Sequence, residues 1–188
     1  MTAVLNQVTK YLDHRGWKYR IEPERSCIIT GVVAEHVERF LIAIHVKDEG
    51  KVLSLVAPQL LAVKDHVHKE ALLQTMLGIA WEVELLRWEY DPMDGEVRAS
   101  INLILEDNPL TEQQFNRALE ALIQLVDQVA MPRLQLVLAT GTDPGIQGME
   151  ASANQLLERL NALIPEAELA DLQAELACLQ SSDAEHQG

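Results

Sequence analysis

The residues that could carry chemistry in this chain are two cysteines, six histidines and several pairs of carboxylates. A nucleophilic cysteine needs an activating neighbour, and a metal needs three or four ligands that converge on one point. Cys27 lies in a strand-like run and Cys178 in a helical run, so we expect both to be free thiols that behave as small apolar side chains. His66 and His68 lie at the start of a predicted helix, where side chains two residues apart diverge. We therefore expect neither a metal nor a cofactor.

Carboxylate pairs such as Glu82 and Glu84, or Asp91 and Asp94, could in principle serve as a general acid and a general base. The chain has 29 acidic residues against 15 basic ones, a net charge of −14, so such pairs are expected on any solvated face. The sequence also contains no phosphate loop, GxGxxG turn, GxSxG elbow or HExxH helix. These observations predict a protein that is not an enzyme.

The charge balance also argues against several classes of partner. Nucleic acids and anionic lipids are bound by clustered Lys and Arg, which an acidic chain lacks. No apolar run approaches the roughly 18 residues of a membrane span. The first residues do not form the basic and apolar regions of a signal peptide. We therefore expect a cytoplasmic protein that binds neither nucleic acid nor a membrane.

Hydrophobic periodicity predicts the elements that must position any site. Alternating or continuous apolar runs indicate strands, and apolar spacings of three and four indicate helices. Strands are expected at 17–22, 26–33, 38–47, 51–57, 82–90 and 96–105, and helices at 3–15, 66–77 and 111–130. Pro58 is expected to end the fourth strand and Gly78 the second helix. Asp94-Gly95, between two alternating runs, predicts a hairpin with Gly95 at positive φ.

Two further local signals concern the helical region after residue 110. Thr111 and Gln114 have the spacing of a capping box, which marks a helix start. The segment 133–140 alternates weakly, so it could be a strand or a continued helix. We favour the helix, because Gly141 stands where a helix stop is expected.

The charge distribution changes near residue 141. Residues 1–141 carry 14 basic and 20 acidic side chains, whereas residues 142–188 carry one and nine. The later part also has leucines at spacings of three and four, which form a seam. We therefore predict a domain that covers residues 1–141 and an acidic helical extension at 148–180.

The most informative combination of elements lies in residues 71–131. It consists of the helix Ala-Leu-Leu-Gln-Thr-Met-Leu, a strand with Trp88, an Asp-Gly-Glu hairpin at 94–96, a second strand and the helix capped by Thr111. In this order, residues 1–140 resemble the YbjN-like family, called bacterial sensory transduction regulators, whose members resemble class I type III secretion chaperones in fold. The resemblance implies an α+β fold, with an antiparallel β-sheet and helices packed mainly on one face.

The same resemblance implies a non-catalytic protein-binding module, either chaperone-like or a regulatory adaptor. The alternative is a small-molecule sensor or an enzyme with a pocket between the sheet and the helices. A deep pocket lined by converging polar groups would favour the alternative. A long, shallow apolar groove would favour the adaptor.

Strands 38–47 and 51–57 are apolar on both faces, so we predict that both faces are buried. The helices can cover one face, and either a second copy of the chain or its own helices at 149–180 must cover the other. A homodimer is favoured, because symmetric dimers are common and the resembled chaperones dimerise. An unknown protein is expected as a further partner. The candidate interface residues are Phe40, Leu41, Ile42, Ile44, Leu53, Leu55, Trp88, Leu169, Leu172 and Leu176.

Overall fold

The computed structural model describes residues 3–106 and 108–145, which form one antiparallel sheet and four α-helices. The strands are β1 (Tyr19–Glu22), β2 (Cys27–Val33), β3 (Arg39–Lys47), β4 (Val52–Ala62), β5 (Arg87–Tyr90) and β6 (Glu96–Ile104). The helices are α1 (Ala3–His14), α2 (Lys69–Glu82), α3 (Glu112–Gln124) and α4 (Met131–Thr140), with a π-helical turn at Leu125–Ala130. The six strands lie in the order β1-β2-β3-β4-β6-β5, so β1 and β5 are the edges. The α+β fold implied by the resemblance is confirmed.

The hydrophobic core lies between one face of the sheet and the helices. Alternate residues of each strand point toward the helices, as the period of two requires. The apolar stripe of α3, which includes Phe115, Leu119 and Leu122, is fully buried against this face. Burying a large apolar side chain contributes about 1.5–3 kcal/mol, so the stripe fixes α3 on the sheet.

Local turn and cap signals are confirmed. Gly95 lies in the turn between β5 and β6 at a φ of +81°, and its N–H donates to the carbonyl of Asp91 at 2.8 Å. Thr111 and Gln114 form the capping box at the start of α3. The segment 133–140 is helical, and Gly141 ends it in the left-handed conformation at a φ of +76°.

The predicted end of the fourth strand at Pro58 is wrong. β4 continues to Ala62, and the register with β6 shifts between Ala57 and Leu61. Gln59 has a φ of +53° within this irregular stretch. A proline lacks a ladder donor, and the irregularity accommodates that loss without ending the strand.

The predicted helix stop at Gly78 is also wrong. α2 continues to Glu82, and this extension shortens β5 to Arg87–Tyr90. A Cβ at Gly78 would lie 3.5 Å from Nη2 of the buried Arg133. That guanidinium donates to Glu82, and to Asp143 at 2.7 and 2.8 Å. Burial acts to lower the pKa of Arg133, but its hydrogen bonds to Asp143 and Glu82 raise that pKa above its ordinary value. The bond to Glu82 also holds the last turn of α2 against α4.

Among the described residues the helices cover one face of the sheet, and burial of the second face by another copy or by residues 149–180 stays a prediction. Along β3, Phe40 and Ile42 are buried beneath the helices, whereas Leu41 between them is 52% exposed on the opposite face. Val33 and Ile104, on that same face, are also exposed. We call this second face of the sheet the open face.

The chain divides into two compact units, and the first spans Met1–Asp143. The sheet and all four described helices belong to this first unit. The predicted helical extension at 148–180 lies outside the described residues. Of the helices that the structure describes, none combines the length and the apolar character needed to cross a bilayer.

Candidate functional site

The predicted interface residues fall into three groups. Five of them belong to the core beneath the helices: Phe40, Ile42, Ile44, Leu53 and Leu55. Their assignment to an interface is corrected, because the chain's own helices cover them. Leu41 lies on the open face, and Trp88 is half-buried at the β5 edge. Three leucines lie outside the described residues: Leu169, Leu172 and Leu176.

Three exposed apolar side chains lie on α2 and on the segment that follows it. Leu77 and Trp81 are four residues apart on one side of α2 and are 74% and 92% exposed. Leu85, in the segment between α2 and β5, is 64% exposed. Leu77 lines a groove with Trp88 and Tyr90 of β5, and we call these five residues the α2–β5 patch.

A groove of about 450 Å³ runs between α2 and β5. Four apolar residues of α2 line it, together with Leu86, Trp88 and Tyr90, and Arg87 is the charged residue at its border. The indole N–H of Trp88 is buried and has no acceptor among the described residues. A shallow lining of this composition suits the apolar side chains of another protein better than a polar metabolite.

The open face is more polar than the α2–β5 patch. Phe40 points to the core, whereas the neighbouring Leu41 lies on the open face. The open face also carries Arg39, His45 and Lys47. Within the described residues no ion pair engages Arg39 or Lys47. Glu22 and Glu89 also lie on this face, so the open face mixes apolar, basic and acidic side chains.

The β2–β3 register brings together a cysteine and a histidine that are 18 positions apart in the sequence. Cys27 Sγ lies 3.9 Å from His45 Nε2 on the open face. Burial and the nearby Glu22 raise the pKa of the Cys27 thiol. Burial, with Lys47 and Arg98, lowers the pKa of His45. Both shifts favour the neutral pair, whereas nucleophilic catalysis needs a thiolate beside an imidazolium.

A buried carboxylate anchors the loop between β2 and β3. Asp127, in the π-helical turn, is 4% exposed and accepts the backbone N–H groups of Glu35, His36 and Val37 at 2.9–3.0 Å. Burial acts to raise the pKa of Asp127, but these three donors and the His36 side chain lower it below its ordinary value. Sequence reasoning missed this residue, although a charged side chain within an apolar helical stripe was a visible signal.

The residues around Asp127 also include side chains of the types that bind metal ions. Glu35, His36 and Asp127 offer ligand atoms that lie within 4.8 Å of one another. Both oxygens of Asp127 already accept backbone N–H groups, and Glu35 and His36 are exposed. The arrangement is explained by loop anchoring, without a metal.

Comparisons with known proteins support the fold described above. No family model and no curated protein matches the sequence. Among solved structures, the chain is similar to the crystal structure of YbjN from E. coli, described as a candidate transcription regulator. The TM-score is 0.53 at 13% sequence identity, over 70% of this chain and 92% of YbjN. This similarity shows a shared fold. The YbjN-like architecture is thereby confirmed at the level of fold.

Proposed function

We propose that the protein is a non-catalytic, protein-binding module of the YbjN-like family that acts as a regulatory adaptor or in a chaperone-like way. The α2–β5 patch is the observation that carries this proposal. Leu77 and Trp81 place two large apolar side chains of α2 in water, and exposed apolar surface is typical of sites of protein association. Tryptophan is also enriched among the residues that dominate binding energy at interfaces.

The structure offers less support for the alternative, a sensor or enzyme with a pocket between sheet and helices. Fully buried side chains such as Leu55, Phe115 and Leu119 occupy that layer. The groove at the α2–β5 patch is instead at the surface, and apolar side chains make up most of its lining. The structural similarity to YbjN, a candidate regulator, is consistent with a regulatory role.

The proposal is tested by placing a photo-crosslinking amino acid at position 81 of the full-length chain in its native cells. We expect ultraviolet light to join the chain to one or a few specific proteins at this position. The same amino acid at the exposed Arg117 of α3 is the matched control and should give no such adduct. Equal labelling at the two positions, or none at either, would contradict the proposal.

A captured protein must then bind the purified chain through the same surface. We expect Trp81→Glu to weaken that binding at least tenfold, because it replaces a large apolar contact by a charged side chain. Trp81 is 92% exposed, so the substitution should leave the unfolding temperature unchanged. Binding that survives Trp81→Glu would show that the partner uses another surface.

A further inference from the structure

We infer that residues 149–180 of the same chain cover the open face of the sheet. Those residues lie outside the described part of the chain, and the sequence predicts that they form acidic helices with a leucine seam. The inference goes beyond the proposed function, because the α2–β5 patch lies on the helix side of the sheet. Three observations support it: the apolar centre of the open face, two cations without ion pairs and the length of the chain that follows α4.

The centre of the open face is apolar. The strand register places Ile29 of β2, Ala43 of β3 and Val56 of β4 side by side, and all three are half-buried. Leu41, two residues before Ala43 along β3, is 52% exposed. An antiparallel sheet with one face in water normally alternates apolar and polar residues, so an apolar second face indicates a cover.

Two cations of β3 border this apolar centre. Arg39 and Lys47 lie at opposite ends of the strand on the open face, and both are exposed. The carboxylates Glu22 and Glu89 of the same face are already paired with arginines. Within the described residues no ion pair engages Arg39 or Lys47. The open face therefore has two positive charges that an acidic segment can neutralise.

The end of the chain has the complementary character. Residues 142–188 carry nine acidic side chains and one basic side chain. Leu169, Leu172 and Leu176 follow at spacings of three and four, so they lie on one side of a helix. Such a helix can place its leucines on the apolar centre while its carboxylates approach the two cations. Complementary charge of this kind also selects against wrong occupants.

The chain that follows α4 is long enough to reach the open face. Asp143 accepts from Arg133 at 2.7 and 2.8 Å, and the same guanidinium donates to Glu82 at the end of α2. The chain therefore continues from a point beside α2, the helix that forms a groove with the edge strand β5. When extended, the five residues 144–148 span about 17 Å. A sheet with its side chains is about 10 Å thick, so this length passes its edge.

A second copy of the chain is a poorer occupant of the open face. Its own open face presents the same two unpaired cations, whereas residues 142–188 present an excess of carboxylates. Residues 149–180 are also tethered, and a short flexible tether holds a segment at an effective concentration of roughly millimolar. The covalent connection therefore favours a contact within one chain over the homodimer that the sequence favoured for this face.

Photo-crosslinking in the purified full-length chain identifies what covers the open face. A photo-crosslinking amino acid replaces Leu41, and unlabelled chains are mixed with an equal amount of heavy-isotope-labelled chains at low micromolar concentration. We expect adducts between position 41 and residues 149–180 in which both peptides carry the same label. The same amino acid at the exposed Arg117 of α3 is the control and should give no adduct to these residues.

Substitutions in the leucine seam test the contact from the other side. Leu169→Asp combined with Leu172→Asp should reduce the same-chain adduct at position 41 at least tenfold, because an apolar contact does not accept unpaired charges. Ala167→Asp combined with Ala174→Asp adds the same charge on the opposite side of the predicted helix. This matched control should leave the adduct unchanged.

Substitutions of the two cations test the charge complementarity. Arg39→Glu combined with Lys47→Glu should reduce the same-chain adduct about threefold, because two attractive charges become repulsive. Circular dichroism should show that the described domain is folded in every variant.

Adducts that join differently labelled chains would identify a second copy as the cover and overturn the inference. It is also overturned if position 41 gives no adduct to residues 149–180, or if the seam substitutions leave the adduct unchanged. Crosslinking at position 81 concerns the other side of the sheet, so the proposed function stands or fails independently of these results.

Discussion

Gly95→Ala should lower the free energy of unfolding by about 3 kcal/mol or more. Gly95 has a φ of +81°, where an L-residue is strained, and an added Cβ would lie 2.2 Å from the backbone nitrogen of Lys64. The Lys64 backbone cannot move away cheaply, because the N–H of neighbouring Val63 donates to the carbonyl of Gly95 at 2.9 Å. Urea unfolding followed by circular dichroism measures the loss.

Gly16→Ala is the matched control for this prediction. Gly16 has a φ of +67°, and an added Cβ would meet nothing within 4 Å. Its substitution should therefore cost only the backbone strain, about 1 kcal/mol. Equal losses at the two positions would show that the contact with Lys64 relaxes and that strain alone sets the cost.

Asp127→Asn should lower the free energy of unfolding by about 3 kcal/mol at pH 7. The carboxylate accepts three backbone N–H groups through both oxygens. An asparagine has one acceptor oxygen, and its NH₂ group would face a backbone N–H that also donates. The exposed Asp65→Asn is the control and should change stability by less than about 0.5 kcal/mol.

The cost of Asp127→Asn should depend on pH in a defined direction. The pKa of Asp127 is lower in the folded chain than its ordinary value, so the ionised carboxylate favours folding. This stabilisation is complete above the unfolded pKa of about 3.9 and is lost as the pH falls through the folded pKa. Wild type and variant should therefore converge in stability as the pH falls below about 4 and through the folded pKa. A difference that stays constant on acidification would contradict this assignment.

Features set by neighbouring residues could be predicted from the sequence. The Asp94-Gly95 turn, the capping box of Thr111 and Gln114 and the helix stop at Gly141 are all confirmed. Each depends on φ preferences or on side chains that reach a backbone group three residues away. Such signals do not require knowledge of the rest of the fold.

Boundaries that depend on distant residues could not be predicted in this way. Gly78 stays within α2 because Arg133, more than 50 positions later, packs beside it and binds Glu82. The longer helix in turn shortens β5. Pro58 stays within β4 because the pairing with β6 tolerates an irregularity there. In each case tertiary contacts outweigh the local preference of a single residue.

The candidate site also has features that the sequence predicts and features that depend on tertiary contacts. The sequence by itself determined that β3 alternates, that the chain is acidic and that Leu77 belongs to an apolar helical run. It could not determine which face the helices would cover, because alternation distinguishes two faces without saying which is covered. Only the tertiary structure decided that Ile42 and Leu55 are core residues, while Leu77 and Trp81 remain in water. The physical reason is that burial depends on what packs against a side chain, and that neighbour is supplied by distant parts of the chain.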